Sequence, residues 1–158
     1  MSKIAPCLWF DSEAEAAATF YVSLLPDSRI DRVQRNVTDS PAGKAGSVLE
    51  VEFTLVGRRF LALNGGVRFE YARAVSFHID CGDQAEVDRL WDALSRGGMI
   101  ERCGWLRDRY GVYWQIVPAV LPQMLGDADP AKAQRVMQAM SQMIKLDIAG
   151  LKKAYDGI

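Results

Sequence analysis

Few side chains in this chain combine reactive chemistry with suitable neighbours. His78 is the only histidine, and its imidazole could serve as a general base near neutral pH. One histidine without carboxylate partners makes no metal site, and a hydrogen-bonded or exposed strand histidine is the plainer account of it. The three cysteines, Cys7, Cys81 and Cys103, are far apart, odd in number and free of any CxxC spacing. They read as reduced thiols of a cytoplasmic protein. Arg102 would lower the Cys103 pKa only weakly and Cys7 has no flanking base, so buried, inert thiols are expected at both. Glu50 and Glu52 share one strand face about 7 Å apart. Paired acids can do proton chemistry, but the basic run Arg29, Arg32 and Arg35 makes solvated ion pairs the simpler reading. Arg107-Asp108-Arg109 reads as a solvated turn. The stripe Val136, Met137, Met140, Met143 and Ile144 reads as core or dimer surface, since methionine fills irregular gaps.

The elements that must position these residues are organised around Cys103–Pro118. Short strands are expected near 99–102 and 104–106, then a charged turn over 106–111. Beyond it Val112, Trp114 and Ile116 alternate with Tyr113, Gln115 and Val117. Upstream, 4–10 reads as a strand. Ser12 with Glu15 fits a capping box opening a helix over 13–25. Strands follow over 29–37 and 48–56, with Gly57-Arg58 as a tight turn into a hairpin partner at 60–64. The pattern then restarts with a strand at 74–81, Gly82-Asp83 as helix start, and a helix over 85–96 ended by Gly97-Gly98. Strand, helix and three strands therefore occur twice, about 70 residues apart, which argues for α+β architecture rather than a doubly wound parallel sheet. After Pro118 the character is helical. Asp129 is placed as an N-cap with Pro130 at the first helical position, and a last short helix carries Leu151 and Ala154.

Charge sets limits on partners. Lys and Arg number 19 against 20 Asp and Glu, leaving a net charge of −1. No field exists to gather nucleic acid or anionic lipid, and no apolar run is long enough for a bilayer span or a signal peptide. Neither nucleic acid nor membrane is an expected partner.

Several segments together resemble the PhnB-like family: Ile4-Ala5-Pro6 with LWFD at 8–11, FY at 20–21, LLPDSRI at 24–30, VEF at 51–53, LALNGG at 61–66, SFHIDC at 76–81, CGWLRDRYGVYWQIVP at 103–118 and the DPAKAQRVMQAM helix. That family lies in the vicinal-oxygen-chelate superfamily, with glyoxalase I, bleomycin-resistance proteins and extradiol dioxygenases. The resemblance implies two β-α-β-β-β modules, about 1–66 and 73–118, whose mixed sheet curls around a pocket in a domain spanning 1–118. It further implies a helical extension over 119–158 and a homodimer. It also brings the label 3-demethylubiquinone-9 3-methyltransferase. Common S-adenosylmethionine enzymes need a glycine-rich turn after an N-terminal strand of a parallel sheet. The isolated pairs Gly65-Gly66 and Gly97-Gly98 offer no such frame.

Metal-using relatives draw ligands from positions that the resemblance lays near Ala5, Ala74 and Gln115. Two alanines cannot ligate, and neutral glutamine is a poor substitute for glutamate. His78 lies about 13 Å farther along its strand. No metal and no cofactor are expected. If Gln115 faces the pocket, alternation brings Tyr113 and Val117 with it, together with Cys7 and Trp9 and with Ser76 and His78. Asn64 beside two glycines and Trp105 on the adjacent strand complete a candidate ligand-binding set: Trp9, Asn64, Ser76, His78, Trp105, Tyr113 and Gln115. Aromatic walls with a few polar groups suit an organic ligand; equally, Trp9, Trp105 and Tyr113 could simply fill the sheet's inner face. The resulting expectation is a metal-free homodimer that binds a small hydrophobic or aromatic molecule. An isomerase, lyase or dioxygenase type of enzyme on the same scaffold, or the methyltransferase of the label, is the alternative.

Overall fold

The computed structural model describes residues 3–158. Alternating apolar residues build the same arrangement twice. In the first module β1 (Cys7–Phe10), α1 (Ala14–Leu24), β2 (Arg29–Arg35), β3 (Val48–Leu55) and β4 (Arg58–Asn64) form a four-stranded sheet of order β1-β4-β3-β2. In the second, β5 (Phe77–Cys81), α2 (Gln84–Ser95), β6 (Met99–Ile100), β7 (Trp105–Arg107) and β8 (Tyr113–Pro118) form a sheet of order β5-β8-β7-β6. Each sheet is mixed: the first strand of a module lies parallel to its last, and the other pairs are antiparallel. The expected α+β repeat is thus present as two mixed four-stranded sheets, followed by α3 (Leu121–Leu125), α4 (Pro130–Gln142) and α5 (Ile148–Asp156). The chain divides into two compact units, 1–70 and 71–158, and the C-terminal helices belong to the second.

In the first unit Leu8, Phe10, Val51, Phe53, Phe60 and Ala62 are buried, as are Ala14, Ala17, Ala18 and Tyr21 of α1. Small alanines let α1 lie close across β2, β3 and β4. The expected Ser12–Glu15 capping box does not form. Glu13 is the N-cap and gives no side-chain bond; instead the Ala14 N–H donates to Asn64 Oδ1 at 2.8 Å. Parallel pairing sets Asn64 opposite Phe10, just where α1 begins, so a residue on another strand does the capping. The hairpin turn is Val56-Gly57 rather than Gly57-Arg58, because Leu55 pairs with Arg58. Both turn residues have positive φ (47° and 72°), as the two-residue turns that match strand twist require.

In the second unit α2 packs on β5, β7 and β8 through buried Val87, Leu90, Trp91 and Leu94. Its expected start holds, with Asp83 accepting the Glu86 N–H at 2.8 Å. So does the Asp129 cap of α4, which accepts from Ala131 N. Val117, Leu121, Met124, Val136, Leu146 and Leu151 form a buried cluster with Met140 and Met143 packed against it. The methionine stripe is therefore partly core, while Met137 and Ile144 at its margin are exposed.

Candidate functional site

The second sheet has a face turned away from α2, and strand alternation determines what it carries. Leu106, Trp114 and Ile116 are buried on the α2 side. The opposite face holds a row set by register, with His78 opposite Gln115 and Gln115 opposite Trp105. A second row sets Met99, Arg107 and Tyr113 side by side. At one end Val117 leads into the cluster of the C-terminal helices.

Hydrogen bonding leaves capacity on this face. Gln115 Nε2 donates to Ser76 Oγ at 2.9 Å, so its amide oxygen points away from that bond with accepting capacity to spare. Among the described residues, the Trp105 indole N–H, the Tyr113 hydroxyl and the Arg107 guanidinium have no hydrogen-bond partner. The Tyr113 ring lies 5.5 Å from the Arg73 guanidinium. Arg73 in turn is held by Glu101 through Nε at 2.8 Å and Nη2 at 2.6 Å. That carboxylate contact raises the Arg73 pKa further. His78 Nε2 sits 3.0 Å from Asp80 Oδ1, an exposed pair two residues apart on one strand.

The sequence-predicted residues divide between the two units. Ser76, His78, Trp105, Tyr113 and Gln115 come together on the second sheet. Trp9 and Asn64 lie in the first unit, where both side chains are engaged internally. Trp9 donates its indole N–H to Val67 O at 2.7 Å and packs on Phe69 with ring centroids 5.4 Å apart. Gly65 passes beneath the indole so closely that a Cβ there would come within 1.7 Å of Trp9. Asn64, besides capping α1, donates to Val48 O at 3.0 Å.

Three other readings of the sequence need correction or completion. Arg107-Asp108-Arg109 is not a solvated turn throughout. Asp108 is buried and accepts from Tyr110 N, Val112 N and Trp114 Nε1 at 2.8, 3.0 and 2.8 Å. Arg107 belongs to β7, one residue beyond the strand expected at 104–106, which puts it on the Trp105 face. Continuing the alternation from Trp105 was the signal that could have found it. Cys7 is exposed rather than buried, because it opens β1 on the side away from α1. Local desolvation of its sulfur and the Glu50 carboxylate raise its pKa, so little thiolate forms. Cys81 is buried, with its thiol pushed up to about 12 by burial and by Glu86 and Asp80. Glu52 does pair with basic residues, at 2.5 Å from Arg59 and 3.6 Å from Arg32, and Glu50 lies 3.5 Å from Arg32. The Arg59 hydrogen bond holds Glu52 below the usual carboxylate range.

The donor set does not fit the metal that the resemblance implies. Among the described residues no three His, Cys, Asp or Glu side chains group as ligands could. Ala5 and Ala74 have no side-chain donor atom, and of the three positions only the neutral amide oxygen of Gln115 remains.

The profile of the family described as 3-demethylubiquinone-9 3-methyltransferase matches residues 2–117. No curated protein matches the chain. Among solved structures, a PhnB protein from Bacillus cereus is 34% identical, with 75% of this chain and 100% of that one covered, at a TM-score of 0.69. A protein from Pseudomonas aeruginosa shares the fold at 19% identity, covering 72% of this chain and 95% of its own, with a TM-score of 0.59. The matched profile, the relative at one-third identity and the doubled β-α-β-β-β order agree with one another. The chain belongs to the family described as 3-demethylubiquinone-9 3-methyltransferase, the PhnB-like family.

Proposed function

We propose that this protein is a metal-free homodimer that binds a small hydrophobic or aromatic molecule. The observation that carries the reading is the second sheet's face, where half-buried Trp105 offers ring surface and Tyr113 lies buried beneath Arg73. Beside them the Trp105 N–H, the Tyr113 hydroxyl and the Gln115 amide oxygen retain hydrogen-bonding capacity. Ligand sites combine apolar walls with a few such oriented groups. Ser76 fixes the Gln115 amide, and His78 extends the row. Trp9 and Asn64 lie in the first unit, where Trp9 holds the segment at Val67 and Phe69 and Asn64 holds the start of α1. The methyltransferase activity in the family's description finds no support in the sheets. Each has a single parallel strand pair, unlike the parallel sheet of the common S-adenosylmethionine fold.

Thermal-shift and equilibrium-dialysis screening of the purified protein against aromatic metabolites tests this. Binding in the presence of a chelator supports it; no binding across the panel, or a stoichiometric divalent metal by elemental analysis, overturns it. Light scattering on a sizing column tests the dimer.

One observation favours an enzyme as the second reading: Asp80 is placed to orient His78 as a general base. Turnover of a bound ligand that is lost in His78→Asn while binding persists would establish it.

A further inference from the structure

We infer that the ligand of the second sheet's face is an organic anion, a planar or aromatic carboxylate whose charge is held by Arg107 while its ring lies against Trp105. This rests on the reading of that face as a small-molecule site. Arg107 and Trp105 are two residues apart on β7 and so share a face, and Arg107 stands directly opposite Tyr113. Arg107 is half-buried, yet among the described residues its guanidinium meets no carboxylate within ion-pair distance.

The neighbouring carboxylates are engaged elsewhere. Glu101 holds Arg73, Asp80 lies on His78, and Asp108 is turned inward to three N–H donors. The Arg107 guanidinium is therefore left without a carboxylate, beside Trp105 and opposite Tyr113. A partly desolvated guanidinium gains most from a partner that returns a negative charge, and its planar fork suits the two oxygens of a carboxylate. The Tyr113 hydroxyl, opposite in register, can donate to the same group.

Isothermal titration of the full chain with matched pairs tests the inference: benzoate and benzamide, 1-naphthoate and 1-naphthamide, indole-3-acetate and indole-3-acetamide. Each pair keeps its ring and changes only the charge. The carboxylate of at least one pair is expected to bind about tenfold or more tighter than its amide. Arg107→Gln should bring that carboxylate to the amide's affinity and leave the amide unchanged, with an unaltered melting temperature reporting an intact fold. Equal affinities within every pair that binds, or a preference that survives Arg107→Gln, would overturn the inference and leave small-molecule binding standing. If no member of any pair binds, the inference and the reading beneath it fall together.

Discussion

The indole N–H of Trp114 donates to the buried carboxylate of Asp108 at 2.8 Å, and the other oxygen of that carboxylate accepts the backbone N–H groups of Tyr110 and Val112. Asp108 thus ties the turn before β8 to a side chain on the α2 face of the sheet. Replacing it with alanine strands buried donors and should cost about 2–4 kcal/mol, measured by urea denaturation. Asp108→Asn sets an amide NH2 against either the indole or the turn and should remain destabilising. Combining it with Trp114→Phe, which removes the opposing donor, should give a smaller loss than the two single changes predict together.

Asn64 offers a similar test in the first unit. Its oxygen caps α1 and its NH2 group reaches Val48 O. Asn64→Ala should destabilise the protein by about 1–3 kcal/mol. Asn64→Asp keeps the cap acceptor, loses the bond to Val48, and should fall between.

The close passage of Gly65 under Trp9 makes Gly65→Ala untenable without displacing the indole. That variant, like Trp9→Ala, should free the 65–69 segment. Limited proteolysis would show faster cleavage there in both variants. If cleavage is unchanged, Trp9 does not anchor the segment.

For the proposed binding face, Trp105→Ala should weaken an aromatic ligand about tenfold or more, with little change in melting temperature because Trp105 is only half-buried. Gln115→Leu should weaken ligands that donate a hydrogen bond and spare those that do not. Dialysis of the two ligand types against each variant distinguishes these effects.

A pH dependence follows from the contact between Asp127 and Tyr155. The Tyr155 hydroxyl, and then the Asp129 N–H, hold the Asp127 carboxyl below the usual range, while the same contact raises the Tyr155 pKa. A depressed carboxyl pKa contributes stability above the unfolded-state value near about 4, and that stability is lost as the pH falls through the folded value. A raised tyrosine pKa contributes below about 10 and is lost as the pH rises through the folded value. Docking of α5 should therefore hold between these limits and loosen in acid. Amide hydrogen exchange in α5, corrected for intrinsic rates, should quicken toward pH 3 in the unaltered protein. In Tyr155→Phe the acid step should be smaller.

By itself the sequence determined the repeated order of elements, because periods of two and of about 3.6 residues, and caps such as Asp83 and Asp129, are local properties of the chain. It also brought Ser76, His78, Trp105, Tyr113 and Gln115 into one set, since alternation along a strand selects a face. Tertiary structure alone decided what depends on pairing between distant segments. Asn64 caps a helix 50 residues away because β4 lies parallel to β1. Asp108 is buried because three donors converge on it. Cys7 is exposed because β1 turns it away from α1, and Arg107 joins Trp105 because β7 runs one residue farther than its composition suggests. Hydrogen-bond partners and charge balance are set by register across strands, and register is a property of the folded chain.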